Sequence, residues 1–176
     1  KVLKKKFDYV VNAAGVVDHS ANENVFKAHY LGCKNLSDFF LKKKIKLFLQ
    51  IGSCVEYGPQ KSPQKENFKS KMLDLKSMYS KGKFAASQYL MQLHDKYNFP
   101  IIVFRLYLNY GPNQDFNRFL PVIIDGCVRN KKFPCSSGMQ YRSFTYIDDL
   151  VNAIIIALKK PELSGNIFNI GNSKPV

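Results

Sequence analysis

The chain has 176 residues, 45% of them hydrophobic and 14% aromatic, which suits one domain with a sizeable core rather than a disordered segment. No apolar run approaches the length that spans a bilayer, and Lys1–Lys6 lead into no apolar segment or cleavage site, so neither a membrane span nor a signal peptide is expected. The net charge of +14 admits anionic partners, but only four of the 27 basic residues are Arg, and the lysines are dispersed or gathered at helix ends such as Lys42–Lys44; nucleic-acid binding is not expected.

Taken in order, Asp8–Asn12 reads as a short buried strand that runs into Ala13-Ala14-Gly15, small residues that let another group approach the backbone. Apolar positions from Val25 to Phe40 recur at helical spacing and predict one long helix over about 22–44. Lys46–Ile51 follows as a near-continuous apolar strand, the mark of a sheet covered on both faces. Strand, helix, strand predicts a parallel crossover unit.

Gly52-Ser53 then leaves the carboxyl end of that strand, where ligands bind in open α/β sheets, so Ser53 can meet a substrate oxygen. A long, lysine-rich polar loop over 60–76 is expected at the surface. Further predicted elements are a helix over 79–96, a strand over 100–105, a helix near 118–128, a strand over 141–146, a helix over 150–159 and a strand over 166–170. Cys33, Cys54, Cys127 and Cys135 show no metal-ligand spacing, so free thiols in a reducing cytoplasm are expected and no metal site is.

Tyr79-Ser80-Lys81-Gly82-Lys83 is the segment that carries chemistry. Holding a tyrosine as phenolate near pH 7, when its ordinary pKa is about 10, costs about 4 kcal/mol. A lysine four residues on shares its helix face, so the Lys83 ammonium can favour the charged form and make Tyr79 a general acid/base. The spacing alone is weak, since Tyr30 and Lys34, and Tyr57 and Lys61, repeat it. Tyr79 differs by opening an amphipathic helix after a strand that ends in Gly52-Ser53.

The order of these signals resembles the extended short-chain dehydrogenase/reductases, in particular the NAD-dependent epimerase/dehydratase group that acts on nucleotide sugars. Its carriers are Asn12-Ala13-Ala14-Gly15, Ser53 with Tyr57-Gly58, Tyr79–Lys83, Arg105 with Tyr110-Gly111-Pro112, Asn117–Pro121, Arg142–Asp149 and Asn169-Ile170-Gly171. The resemblance implies an α/β, Rossmann-like doubly wound parallel sheet, incomplete here, in one domain over 1–176, with roughly 110–147 contributing to a smaller substrate lobe.

It further implies NAD or NADP as cofactor and a nucleotide-diphosphate sugar as substrate. Ser53, Tyr79 and Lys83 would be catalytic. Asn12, Ala13, Ala14, Gly15 and Tyr107 would line the cofactor cleft with Tyr79 and Lys83. Asn117, Arg118 and Arg142 would join Ser53 on the substrate. A homodimer through the two long helices is also implied.

Departures from the family pattern narrow the reaction. The glycine-rich strand-turn-helix that holds the pyrophosphate is missing, so the chain reads as an interior segment. Cys54 and Val55 replace the Asp and Glu of 4,6-dehydratases, which points to epimerisation or 4-keto reduction, with Glu56-Tyr57-Gly58 closer to the reductases. His29 replaces the usual Asn of the long helix, Leu108 stands where Asn or Gln is usual, and Ser143 replaces Asp after Arg142. The competing reading is a truncated or degenerate member that binds a nucleotide or partner without catalysis.

Overall fold

The structure, a computed structural model, describes residues 6–16 and 23–176. The expectations for Lys1–Lys5 and for a helix start at Asn22 lie outside the described residues. The elements are β1 (Tyr9–Asn12), α1 (Glu23–Leu41), β2 (Leu47–Ser53), α2 (Met78–Tyr97), β3 (Ile101–Leu106), β4 (Leu108–Tyr110), α3 (Phe119–Val128), β5 (Phe144–Tyr146), α4 (Ile147–Leu158) and β6 (Asn166–Ile170).

Four strands form one parallel sheet in the order β1-β2-β3-β6. A second sheet pairs β4 with β5 beside the first.

The apolar runs of β2 and β3 are explained by what covers them. Phe48, Ile101 and Val103 face one side and pack with Cys33 and Phe40 of α1 and with Ala86, Leu90 and Leu93 of α2. Leu47, Leu49, Ile102 and Phe104 face the other and pack with Leu150 and Ala157 of α4. Both sheet faces are therefore helix-covered, as a doubly wound α/β fold requires. Each of the larger buried side chains contributes about 1.5–3 kcal/mol.

β1 departs from the expectation of a buried strand: Tyr9 and Val11 are each 41% exposed, because among the described residues β1 pairs only with β2 and is the sheet edge. The predicted strand over 141–146 contracts to Phe144–Tyr146, since β4 offers only three residues to pair with. The loop over 60–76 is more than a surface excursion. Asn169 of β6 donates its amide group to the Gln64 carbonyl at 2.9 Å, the Ser70 hydroxyl donates to the Tyr57 carbonyl at 3.1 Å, and Leu75 is buried. Among the described residues no helix is long and apolar enough to cross a membrane.

The start of α2 is set by a reciprocal cap. The Ser77 hydroxyl accepts from the Ser80 amide at 3.0 Å, and the Ser80 hydroxyl accepts from the Ser77 amide at 3.2 Å. Tyr79 is thereby held in the first turn. At Gly82 the two long helices touch: an added Cβ would sit 3.0 Å from the His29 Cβ and 3.2 Å from the Phe26 Cα of α1. Gly82→Leu is expected to lower unfolding free energy by about 1–3 kcal/mol through overpacking, read by urea denaturation; unchanged stability would show that the helices do not meet there.

Candidate active site

The site lies at the carboxyl end of β2, where the backbone turns from Gly52 into Ser53. Ser53 keeps extended geometry and caps a single tight helical turn, Cys54–Tyr57. Tyr79, from the first turn of α2, lies close enough to the Ser53 side chain for that hydroxyl to act on its phenol. One helical turn further on, Lys83 is 5% exposed, and its Nζ donates to the Ile51 carbonyl at 2.8 Å and lies 5.9 Å from the centre of the Tyr79 ring. The chain thus brings Ser53, Tyr79 and Lys83 together from one strand end and one helix.

The electrostatics differ from the simple expectation for Tyr79 and Lys83. Burial raises the Tyr79 phenol above its ordinary value, the Ser53 hydroxyl pulls it down, and the negative Glu56 raises it again. Burial also lowers the Lys83 amine, and Glu56 opposes that shift. In this arrangement burial favours the protonated Tyr79 phenol, and Ser53 is the neighbour that eases its ionisation.

Beneath Ser53 lies a fully buried carboxylate. Glu56 Oε1 accepts from the Ser53 amide at 2.8 Å, and its Oε2 accepts from Arg105 Nε of β3 at 3.1 Å. The Arg105 guanidinium lies 4.4 Å from the centre of the Tyr57 ring, and the Tyr57 hydroxyl donates to the Asn169 side-chain oxygen at 2.7 Å. Strand ends β2, β3 and β6 are therefore tied by side chains as well as by their ladders.

Asn12 is buried at the end of β1, donating to the Gln50 side chain at 2.7 Å and accepting from the Ala14 amide at 3.3 Å. Ala13, Ala14 and Gly15 are exposed beyond it. Gly15 packs against His29, and a Cβ there would fall 2.2 Å from the imidazole.

Asn117 and Arg142 line a cavity of about 740 Å³ together with Phe119, Phe133, Cys135 and Phe144. Arg118 stands at the N-cap position of α3 without a side-chain capping bond, and its charge is felt at Tyr79; that of Arg142 is felt at Cys54. Among the described residues no cluster of His, Cys, Asp and Glu is arranged to hold a metal ion.

Comparison with known proteins settles the kinship. The model of the NAD dependent epimerase/dehydratase family matches residues 1–171. The chain belongs to this family. It is 30% identical over 190 residues to a dTDP-D-glucose 4,6-dehydratase of Dictyostelium discoideum, covering 96% of this chain and 42% of that protein.

Among solved structures it resembles a dTDP-glucose 4,6-dehydratase of Bacillus anthracis in complex with NAD (TM-score 0.84, 24% identity, 96% of this chain and 53% of that one). It also resembles a UDP-N-acetylglucosamine 4-epimerase of Methanobrevibacter ruminantium (TM-score 0.88, 22% identity, 96% of this chain and 56% of that one). The chain spans about half the length of these relatives. The family's cofactor is NAD.

Within this family frame, Tyr107 directs its hydroxyl to the Gln64 side chain at 2.9 Å and packs its ring near Gly171, so it meets the loop over 60–76. Three residues to which the sequence alone assigns no role join the site: Glu56, Asn169 and His29. Their only sequence signal is position: Glu56 and Asn169 within motifs, His29 as a substitution. His29 is 4% exposed and lies edge-on to Tyr79, ring centres 4.9 Å apart. Its Nε2 donates to the Val16 carbonyl at 2.9 Å, and Nδ1 has no partner among the described residues.

Burial lowers the His29 imidazole below its ordinary 6.5, the Val16 hydrogen bond opposes this, and Lys83 adds to it. The unfolded chain therefore takes up the His29 proton first as pH falls through about 6.5, so the folded state loses stability on acidification. His29→Asn is expected to lose less stability than wild type between neutral pH and the folded-state pKa, measured by urea denaturation across pH; parallel curves would contradict a neutral buried imidazole.

Proposed function

We propose that the chain carries the catalytic centre of an NAD-dependent enzyme that modifies a nucleotide-diphosphate sugar by epimerisation or 4-keto reduction. The observation that carries this reading is the placing of Ser53 at the carboxyl end of a parallel strand, beside Tyr79 in the first turn of α2, with Lys83 buried one turn further on and its Nζ 5.9 Å from the centre of the Tyr79 ring. The names of the relatives support the substrate class: dTDP-glucose for the dehydratases, a UDP-sugar for the epimerase.

The residues present fit NAD. The Lys83 ammonium has three N–H donors, and the described residues occupy one of them through Ile51, leaving donors for a ribose hydroxyl. The exposed Ala13-Ala14-Gly15 backbone offers close approach beside it. NAD, when bound, supplies the acceptor and donor of hydride at the sugar carbon.

This chain's own residues then manage the proton. Ser53 orients the sugar oxygen toward Tyr79, Tyr79 gives a proton to that oxygen or takes one from it, and Lys83 turns its remaining donors to the cofactor ribose. Arg142, with its planar fork, and Asn117 hold the diphosphate in the cavity, Arg118 adds positive charge toward Tyr79, and residues 110–147 form the substrate lobe. The site's form argues against water elimination by carboxyl acids. Cys54 is a thiol that burial holds neutral, and Val55 carries no proton to transfer.

The reading extends to a cytoplasmic homodimer through α1 and α2, whose outer faces expose Leu31 and Tyr97. Sedimentation of the full-length protein is expected to give the dimer; a monomer at micromolar concentration would contradict it.

Tyr79→Phe in the full-length protein is expected to lower kcat by roughly 100-fold or more while NAD affinity stays within about twofold, measured by turnover of UDP- and dTDP-sugars and by cofactor titration. Wild-type turnover in this variant would remove Tyr79 from the mechanism. NAD binding with no turnover even in the wild type would favour the non-catalytic reading.

A further inference from the structure

Glu56 is the deepest charge in the molecule's working end. It is 0% exposed, sits between β2 and β3, and does not line the cavity that holds Asn117 and Arg142. A buried carboxylate is costly, so what it holds is informative. Burial pushes the Glu56 carboxyl above its ordinary value, while the Arg105 charge and the Ser53 amide pull it back. One oxygen takes the Ser53 amide at 2.8 Å and the other takes Arg105 Nε at 3.1 Å, so both oxygens face N–H donors that favour the ionised form.

The backbone has been shaped around this carboxylate: a Cβ at Gly52 would lie 2.5 Å from Oε1, so only glycine leaves room for it. Arg105 is itself 2% exposed and braced by the Tyr57 ring, whose hydroxyl is fixed to Asn169. The chain of contacts runs from β6 through Tyr57, Arg105 and Glu56 to the Ser53 peptide, whose side chain neighbours Tyr79.

We propose that Glu56 is a positioning residue for the reaction, an anion held by Arg105 that fixes the Ser53 peptide and thereby the hydroxyl presented to Tyr79. The assignment of a reaction rests on the function proposed above; the geometry does not. Glu56 acts through Ser53 and through its field, and its burial among Arg105 and the Ser53 amide keeps it from touching a sugar. Its negative charge also lies close enough to Tyr79 and Lys83 to disfavour the phenolate and favour the ammonium. That field gives the role a signature that a purely structural residue lacks.

The test is a titration of Tyr79 in the full-length protein by NMR of tyrosine labelled at the ring carbon bearing oxygen, with the resonance assigned by its loss in Tyr79→Phe. Glu56→Gln keeps an oxygen for the Ser53 amide and removes the charge. The expected result is a folded variant whose Tyr79 midpoint moves to lower pH while the Ser53 amide stays protected from hydrogen exchange. An unchanged or raised midpoint in the folded variant overturns the proposal.

Should Glu56→Gln not fold, the wild-type protein decides: its Ser53 amide is expected to exchange orders of magnitude more slowly than an unstructured amide, and an unprotected Ser53 amide overturns the proposal. No substrate enters this measurement, so a failure to find turnover on nucleotide sugars would count against the proposed function and leave the positioning role of Glu56 standing or falling on the titration alone.

Discussion

The ion pair between Glu56 and Arg105 is the constraint on which the working end of this molecule depends. Neither side chain is more than 3% exposed. Removing two charges from water costs several kcal/mol per ion, and their attraction offsets that only when the remaining donors and acceptors are matched. Here the carboxylate is matched by the Ser53 amide and Arg105 Nε, and the guanidinium lies against the Tyr57 ring that Asn169 fixes, while Arg105 Nη1 has no hydrogen-bond partner among the described residues. The pair is weak evidence for stability and strong evidence for one conformation: the turn after β2 cannot slide along β3 without stranding a charge.

Around that pair the site is built from opposed pulls on one phenol. Burial and the nearby anion hold the Tyr79 proton on, and the Ser53 hydroxyl eases it off. Lys83 is close but buried, its own charge disfavoured by desolvation. A general acid/base needs a small gap between its two states, and a site with compensating influences can be moved either way by what binds beside it.

How much of this was legible in the sequence follows from the range of the interactions. The parallel α/β layering was, because β2 and β3 read as continuous apolar runs and the helices between them as periodic ones, and those patterns are local. So was the gathering of Ser53, Tyr79 and Lys83, since a strand end and a helix start fix all three. The exposure of β1 was not, because it depends on what pairs with its far edge and not on its own residues Tyr9 and Val11.

The roles of Glu56 and Asn169 were hidden for the same reason: Glu56 meets Arg105, 49 positions away, and Asn169 meets Tyr57, 112 positions away. The loop over 60–76 read as surface because its composition is polar. Its polar groups are instead used to tie it to β6 and Tyr107.

Hydride transfer at this site is tested most directly by following nicotinamide absorbance after rapid mixing of the full-length protein, charged with NAD, against a panel of UDP- and dTDP-sugars. A reduced-nicotinamide signal is expected with at least one of these sugars, formed in the wild type and abolished when Tyr79 is replaced by Phe. A protein that binds NAD and the sugar yet shows no reduced nicotinamide with any of them would contradict hydride transfer here.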